Sequence, residues 1–251
     1  MANKIVNFSE LRTSCSSCNL YELCLPRGLS RVDVEKLDHV VKNTNKLGKG
    51  DYLFRENDPF SAFYAVRSGS VKSFILNENG EEQIIGFYFP GEILGFDAME
   101  NEQHTCYTMA LETASFCALP YNKLHEICLQ FPDLQKQMFR LMGKEFSNDN
   151  KMLLTINNRT AEERIATFLF SLSTRFKKLG YSANRFNLTM SRMDIANYLG
   201  LKTETVSRLF TKMQRDELIT INKKEVIIKK LPDLKSMCEA GNHDLKQNNV
   251  S

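Results

Sequence analysis

A chain of 251 residues with 42% hydrophobic and 25% charged side chains has the make-up of an ordinary globular protein, long enough for two domains with separate cores and far from the disordered class. No run approaches the roughly 18 apolar residues of a membrane span. The opening stretch MANKIVNFSELRTSC lacks the apolar core of a signal peptide, so the chain is expected in the cytoplasm with its seven cysteines reduced. The net charge of +3 hides an asymmetry: residues 1–159 hold 17 Lys+Arg against 20 Asp+Glu, whereas residues 160–251 hold 16 against 10. The C-terminal part is therefore expected to meet a polyanion.

The first element is an arm, residues 1–30, with Cys15, Cys18 and Cys24 in CSSCNLYELC. A C-x2-C step turns two thiolates toward one ion, and a third thiolate soon after completes three corners of a site. Zinc sites usually supply cysteines as two close pairs, and iron–sulfur clusters also use three grouped cysteines plus one distant one. Spacing alone leaves both open. The fourth ligand must come from the folded domain behind, with Cys106, Cys117, Cys128 and Cys238 as candidates and His39, His104 and His125 as weaker ones.

Residues 31–131 read as an antiparallel β domain. The segment RVDVEKLDHVVK (31–42) puts Val34, Leu37, Val40 and Val41 on one face of a leading helix. Seven of the twelve glycines fall within 47–120 and separate β-like runs at Tyr52–Arg55, Phe63–Val66, Val71–Leu76, Gln83–Phe89 and Ala114–Leu119, the spacing of a sandwich or barrel. Glu78-Asn79-Gly80 predicts a tight hairpin turn, with Asn-Gly supplying positive φ angles.

This stretch resembles the β-roll of the cyclic-AMP receptor protein superfamily, through KGDYLFRENDP (49–59), AVRSGSVK (65–72) and FPGEILGF (89–96). Nucleotide binders of that family have a glutamate soon after the second glycine of the last motif and an arginine on the phosphate. Here Phe96 follows Gly95, and the arginine region reads His104-Thr105-Cys106-Tyr107, so a buried phosphate would lack its partner. With its cysteine-rich arm the chain is similar to the fumarate and nitrate reduction regulator (FNR) branch, which carries an oxygen-labile [4Fe-4S] cluster on C-x2-C-x5-C plus one cysteine in the roll. The resemblance implies Cys15, Cys18, Cys24 and, in SFCALPY, Cys117 as the cluster ligands. It leaves Cys106, Cys128 and Cys238 as core or surface residues. Asn19, directly after the second ligand, stands where the best-known members have serine, and neighbours of cluster sulfurs tune reactivity.

Residues 132–159 predict one long helix with Pro132 in its first turn. Phe139, Met142, Phe146, Asp149, Leu153 and Ile156 follow at alternating steps of three and four, the seam of a helix that packs against its own copy. Asp149 is the carboxylate in that apolar row.

Residues 160–235 predict a winged helix-turn-helix. Thr160 and Glu163 form a capping box ahead of a stripe of Ile165, Phe168, Leu169 and Leu172. Ser191–Leu199 reads as one helix, Gly200 as the turn, and Thr203 as the cap of a second helix to about Arg215. A hairpin, 218–221 with 226–228, supplies the wing. Glu204, Ser207 and Arg208 share a face of the second helix, suited to base edges. They look like the reading triplet of the FNR branch, which implies double-stranded DNA with an inverted repeat resembling TTGAT…ATCAA. Thr203, Arg192 and Lys212 are further candidates for DNA contact. A polar tail, 236–251, is expected to fray.

The expected class is α+β: a jelly-roll-like antiparallel β-roll sensor domain, a long dimerisation helix and a winged helix-turn-helix. The expected function is an oxygen-responsive transcription regulator, active as a homodimer with a [4Fe-4S] cluster and working with RNA polymerase on genes of anaerobic metabolism. No nucleophile–base constellation marks an enzyme. The alternatives are a small-molecule-sensing regulator of the same superfamily without a cluster, and a redox or electron-carrier protein.

Overall fold

The computed structural model describes residues 14–44 and 46–240. Two short 3-10 turns, Cys15–Ser17 and Tyr21–Leu23, lead into helix α1 (Arg31–Val40), whose Val34 and Leu37 are buried. Eight strands then build the roll: β1 (Lys42–Asn43), β2 (Tyr52–Phe54), β3 (Ala62–Ser68), β4 (Val71–Leu76), β5 (Glu82–Tyr88), β6 (Ile93–Leu94), β7 (Tyr107–Ala110) and β8 (Ser115–Pro120). They form two antiparallel sheets, in the orders β1-β8-β3-β6 and β2-β7-β4-β5. Phe54, Val66, Val71, Leu94, Ala110 and Phe116 fill the roll interior. The β3–β4 corner is tight enough to require glycine. Gly69 has φ +78°, and a Cβ there would lie 2.4 Å from the Thr113 carbonyl oxygen.

Helix α2 (Tyr121–Gln130) and helix α3 (Pro132–Asn158) leave the roll in succession. At about 1.5 Å per residue α3 is about 40 Å long. Its first turns bury Leu134 and Met138 in a core shared with Leu25, Leu37, Phe63 and Ile127. Helix α4 (Ala161–Lys178) opens with the Thr160–Glu163 capping box expected from sequence. It carries strand β9 (Arg185–Asn187), helix α5 (Arg192–Leu199), helix α6 (Thr203–Arg215), the hairpin β10 (Ile219–Asn222) and β11 (Glu225–Ile228), and helix α7 (Leu231–Ala240). The α+β class, with its antiparallel roll, long helix and winged helix-turn-helix, is as expected.

Three local expectations need correction. The β4–β5 connection is a five-residue loop, since Leu76 pairs with Glu82. Only Gly80 takes a positive φ there, while the Asn77 side chain accepts from the backbone N–H groups of Asn79 and Glu81. A side chain thus replaces the second strained residue. Thr203 is the first residue of α6, not its cap; Lys202 holds that position without a side-chain bond. The expected tail begins as helix α7, because Leu234 and Cys238, four apart, bury themselves against the α4 domain at 0% and 8% exposure. The rest of it, 241–251, lies outside the described residues, as do residues 1–13 of the arm.

The DNA-binding part packs directly on the roll. Phe74, Ile84, Phe87 and Phe89 from the roll share one core with Ile165, Phe168, Leu172 and Ile195. A polar clasp surrounds that core. Lys72 of β4, 7% exposed, reaches Asp194 of α5 at 3.0 Å and Glu82 at 2.6 Å. Asn197 of α5 accepts from the Ile84 N–H at 2.6 Å and donates to the Glu82 carbonyl at 2.5 Å. Arg175 of α4 meets Glu92 at 3.0 Å.

Candidate cysteine site and nucleic-acid interface

Cys15, Cys18, Cys24 and Cys117 line one small pocket. Its remaining walls are chiefly Tyr21, Leu25, Val41, Ala65 and Val66, with Arg67 as the charged group. The arm's backbone brings three of the thiols together. Cys18 N–H donates to the Cys15 carbonyl, Tyr21 N–H to Cys18, and Cys24 N–H to Leu20. Cys117 comes from β8, opposite Asn43 of β1 and Ala65 of β3. Asp38 of α1 anchors the arm by accepting from the Ser14 hydroxyl and, at 2.5 Å, from the Cys15 N–H. Although burial opposes it, these bonds hold the Asp38 carboxyl below its usual range. On the far side of the arm, the Gln137 amide of α3 donates to the Cys24 carbonyl at 3.2 Å.

Burial works against the charged form of three of the thiols, Cys15, Cys24 and Cys117. Burial pushes Cys15 up, reinforced by Asp38 beside it. Burial pushes Cys24 up to about 12. It raises Cys117 as well, against the pull of the nearby Arg67 charge. Ligation by a metal replaces those protons with a cation, which is the natural counter-charge for a crowded thiolate set. Four soft donors in an apolar pocket suit zinc or an iron–sulfur group. Among the described residues no three His, Cys, Asp or Glu side chains are grouped as a single ion would need them.

Of the other fourth-ligand candidates, those whose side chains are described lie off this pocket, and the His125 side chain lies outside the described residues. Cys106 is buried beside Asp97, which also takes a hydrogen bond from the Thr105 N–H and faces the His104 ring at 3.2 Å. Cys238 packs inside α7, and Cys128 is half-buried on α2. His39 is exposed.

The cavity between the roll and α3 has Phe54, Ile84 and Leu94 on its apolar walls. Asp97, Glu145 and Asp149 line it, and no lysine or arginine does. Burial raises the Glu145 carboxyl, which accepts from the Tyr88 hydroxyl at 2.7 Å. Such a lining repels phosphate.

The seam residues divide by exposure. Phe139, Phe146 and Leu153 stand 63%, 70% and 59% exposed, while Met142 and Ile156 are half-buried. Asp149 lies exposed between the two sets, and burial of its carboxyl still pushes it up.

In the helix-turn-helix, Gly200 takes φ +62° and its N–H closes α5 on Asn197, while Leu201 N–H reaches Ala196. Val206, Phe210 and Met213 bury one face of α6, leaving Glu204, Ser207 and Arg208 exposed on the other. Thr203 is half-buried at the helix start. Arg192 and Lys212 have intramolecular partners: the Arg192 guanidinium lies 3.8 Å over the Phe210 ring, and Lys212 meets Glu162 at 2.5 Å. Sequence reasoning missed Asp38, Gln137, Lys72, Asn197 and the Glu92–Arg175 pair; as single polar residues on otherwise ordinary elements, they carry no spacing signal.

A β-roll joined by a long helix to a winged helix-turn-helix with an exposed second helix is the architecture of a DNA-binding transcription regulator. Residues 44–131 match the family model of the cyclic nucleotide-binding domain, and residues 163–237 match that of the Crp-like helix-turn-helix domain. The chain is 50% identical over 214 residues to the transcriptional activator protein Anr of Pseudomonas protegens, covering 85% of this chain and 88% of that one. It is 44% identical to the transcriptional activator protein FnrA of Stutzerimonas stutzeri, over 91% and 93% of the two chains. Against the fumarate and nitrate reduction regulatory protein of Vibrio cholerae it is 40% identical, over 85% and 86%. The structure of FixK2 from Bradyrhizobium japonicum is similar, with a TM-score of 0.72 at 25% identity over 79% of this chain and 97% of that one. The chain belongs to the FNR and Anr family of transcriptional regulators.

Proposed function

We propose that this regulator responds to oxygen through a [4Fe-4S] cluster held by Cys15, Cys18, Cys24 and Cys117, and that the cluster-bearing form is a cytoplasmic homodimer bound to an inverted repeat resembling TTGAT…ATCAA. The observation that carries the reading is the convergence of four thiols, from an arm and from a strand roughly ninety residues further along, on one apolar pocket. When bound, such a cluster supplies a redox-labile centre that oxygen destroys. The protein's own part is to hold the arm between α1, through Asp38, and α3, through Gln137, and so to make the arm's conformation felt by the helix that carries the seam. The seam residues Met142, Phe146, Leu153 and Ile156 join two copies about a twofold axis, with Asp149 opposing its counterpart. Glu204, Ser207 and Arg208 read base edges, Arg208 through its two-pronged fork. RNA polymerase is the partner of the DNA-bound dimer, and anaerobic-metabolism genes are its targets. The carboxylate-lined cavity beside α3 opposes the alternative of an anionic nucleotide as the signal.

Anaerobic purification with iron and sulfide assays tests the reading. Equal iron and sulfide near four per chain are expected, with loss on serine replacement of any of the four cysteines and retention in Cys106→Ser and Cys128→Ser. Full iron in Cys117→Ser with loss in Cys106→Ser would overturn the ligand set, and zinc without sulfide would overturn the cofactor.

A further inference from the structure

Of the four thiols, Cys24 is the one whose backbone is hydrogen-bonded to α3. Cys15 is tied to α1 through Asp38, and Cys117 belongs to β8. The contact is made by Gln137, a glutamine only 6% exposed, whose Nε2 lies 3.2 Å from the Cys24 carbonyl. Its surroundings are otherwise apolar. Leu134 and Met138 on α3 pack in the same core as Leu25, the residue after Cys24. A buried amide with such neighbours is costly unless its hydrogen bond is kept.

The placement on the helix gives this bond its leverage. Gln137 precedes Phe139 by two residues, about 200° around the helix axis, so it lies on the face opposite the seam. The exposed seam residues Phe139, Phe146 and Leu153 follow on the other side of the same rigid rod. A shift of the Cys24 carbonyl either drags α3 with it or leaves the glutamine donor buried and unpaired. Both outcomes tie the conformation of the arm to the position of the seam.

We infer that Gln137 is the positioning residue that couples the state of the cysteine site to dimerisation, by holding α3 to the main chain of Cys24. This rests on the proposed cluster and seam. It assigns the coupling to one donor rather than to the general packing of the arm, and it identifies the third cysteine as the one that transmits.

The test is Gln137→Met, which keeps length and burial and removes the donor. The full chain is purified anaerobically, and its dimer dissociation constant is measured by sedimentation with the cluster and after exposure to air. The readout is the ratio of the air-exposed to the anaerobic constant, taken beside iron content and visible absorption. In Gln137→Met the iron content is expected to match wild type, while the ratio falls about tenfold, a coupling of ordinary allosteric size. An unchanged ratio with a full cluster overturns the inference and leaves the cluster reading standing. A wild-type chain without iron, or with a ratio of one, fails the cluster reading itself, and the inference falls with it. If Gln137→Met loses its iron or its fold, amide hydrogen exchange of the wild type decides. Amides of residues 135–141 are expected to exchange faster after cluster loss, and no change in them overturns the inference.

Discussion

Replacing Phe146 by alanine should weaken the dimer severely, and the size of the effect follows from its exposure. Phe146 is 70% exposed in the single chain, more than Phe139 or Leu153. A phenylalanine offers roughly 200 Å², so about 140 Å² waits to be covered, of which alanine would keep about a third. The loss of about 100 Å² is worth about 2.5 kcal/mol per chain at about 25 cal/mol per Å². A twofold interface counts it twice, giving about 5 kcal/mol, or between about 10³- and 10⁴-fold in the dimer dissociation constant. If the partner covers only half of the ring, about 10²-fold remains. Sedimentation equilibrium on the anaerobic protein is the assay, with Leu129→Ala as control. Leu129 is 72% exposed but sits on α2, away from the seam, and should change nothing. Equal constants for Phe146→Ala and wild type, or an equal loss in the control, would show that exposure along α3 does not mark the interface.

Asp149→Ala should dimerise and bind DNA even after cluster loss, because on the proposed seam it removes a carboxylate opposite its own copy; equal dimer fractions with and without the substitution would refute this. Lower pH should act in the same direction. Burial raises the Asp149 and Glu145 carboxyls, with Tyr88 and Tyr198 nearby, so both gain protons above the usual carboxylate range as pH falls, and the dimer should tighten over that interval. Sedimentation at stepped pH checks the sign, and a dimer that loosens there contradicts it. Arg208→Ala should cost about 1–3 kcal/mol and relax preference at one base pair per half-site; in a binding assay over single-base operator variants, a uniform loss would make it a positioning contact. Gly69→Ala should destabilise by about 1–3 kcal/mol, since it combines a left-handed backbone with a Cβ placed 2.4 Å from a carbonyl oxygen; an unaltered urea midpoint would show that the β3–β4 corner yields.

The fold class was legible because its signals are local. Glycine-bounded strands, a capping box at Thr160 and a glycine at 200 between two apolar stripes each announce themselves within a dozen residues. The grouping of Cys15, Cys18 and Cys24 was legible for the same reason, and Cys117 needed the family likeness, since only the pairing of β8 with β1 and β3 brings it to the arm. What stayed hidden depends on docking. Lys72 reads as an outward-facing residue of a strand until α5 covers it, and Arg175 reads as a solvated end of α4 until Glu92 meets it. The misjudged β4–β5 turn has another cause: Asn77 satisfies the loop with its side chain, a choice that competes with the two-residue turn at no cost visible in the sequence.

The two bonds of Asn197 have a wider consequence. Strand β5 is the outermost strand of its sheet. Outer strands present main-chain groups that invite another strand to add on, the first step of edge-to-edge aggregation. Asn197 occupies the Ile84 N–H and the Glu82 carbonyl, and the neighbouring Ile85 is 42% exposed. The DNA-reading domain thus doubles as a guard on the sensor's sheet. A movement that lifted α5 clear would bare a strand edge flanked by isoleucines, so wholesale separation of the domains leads toward self-association.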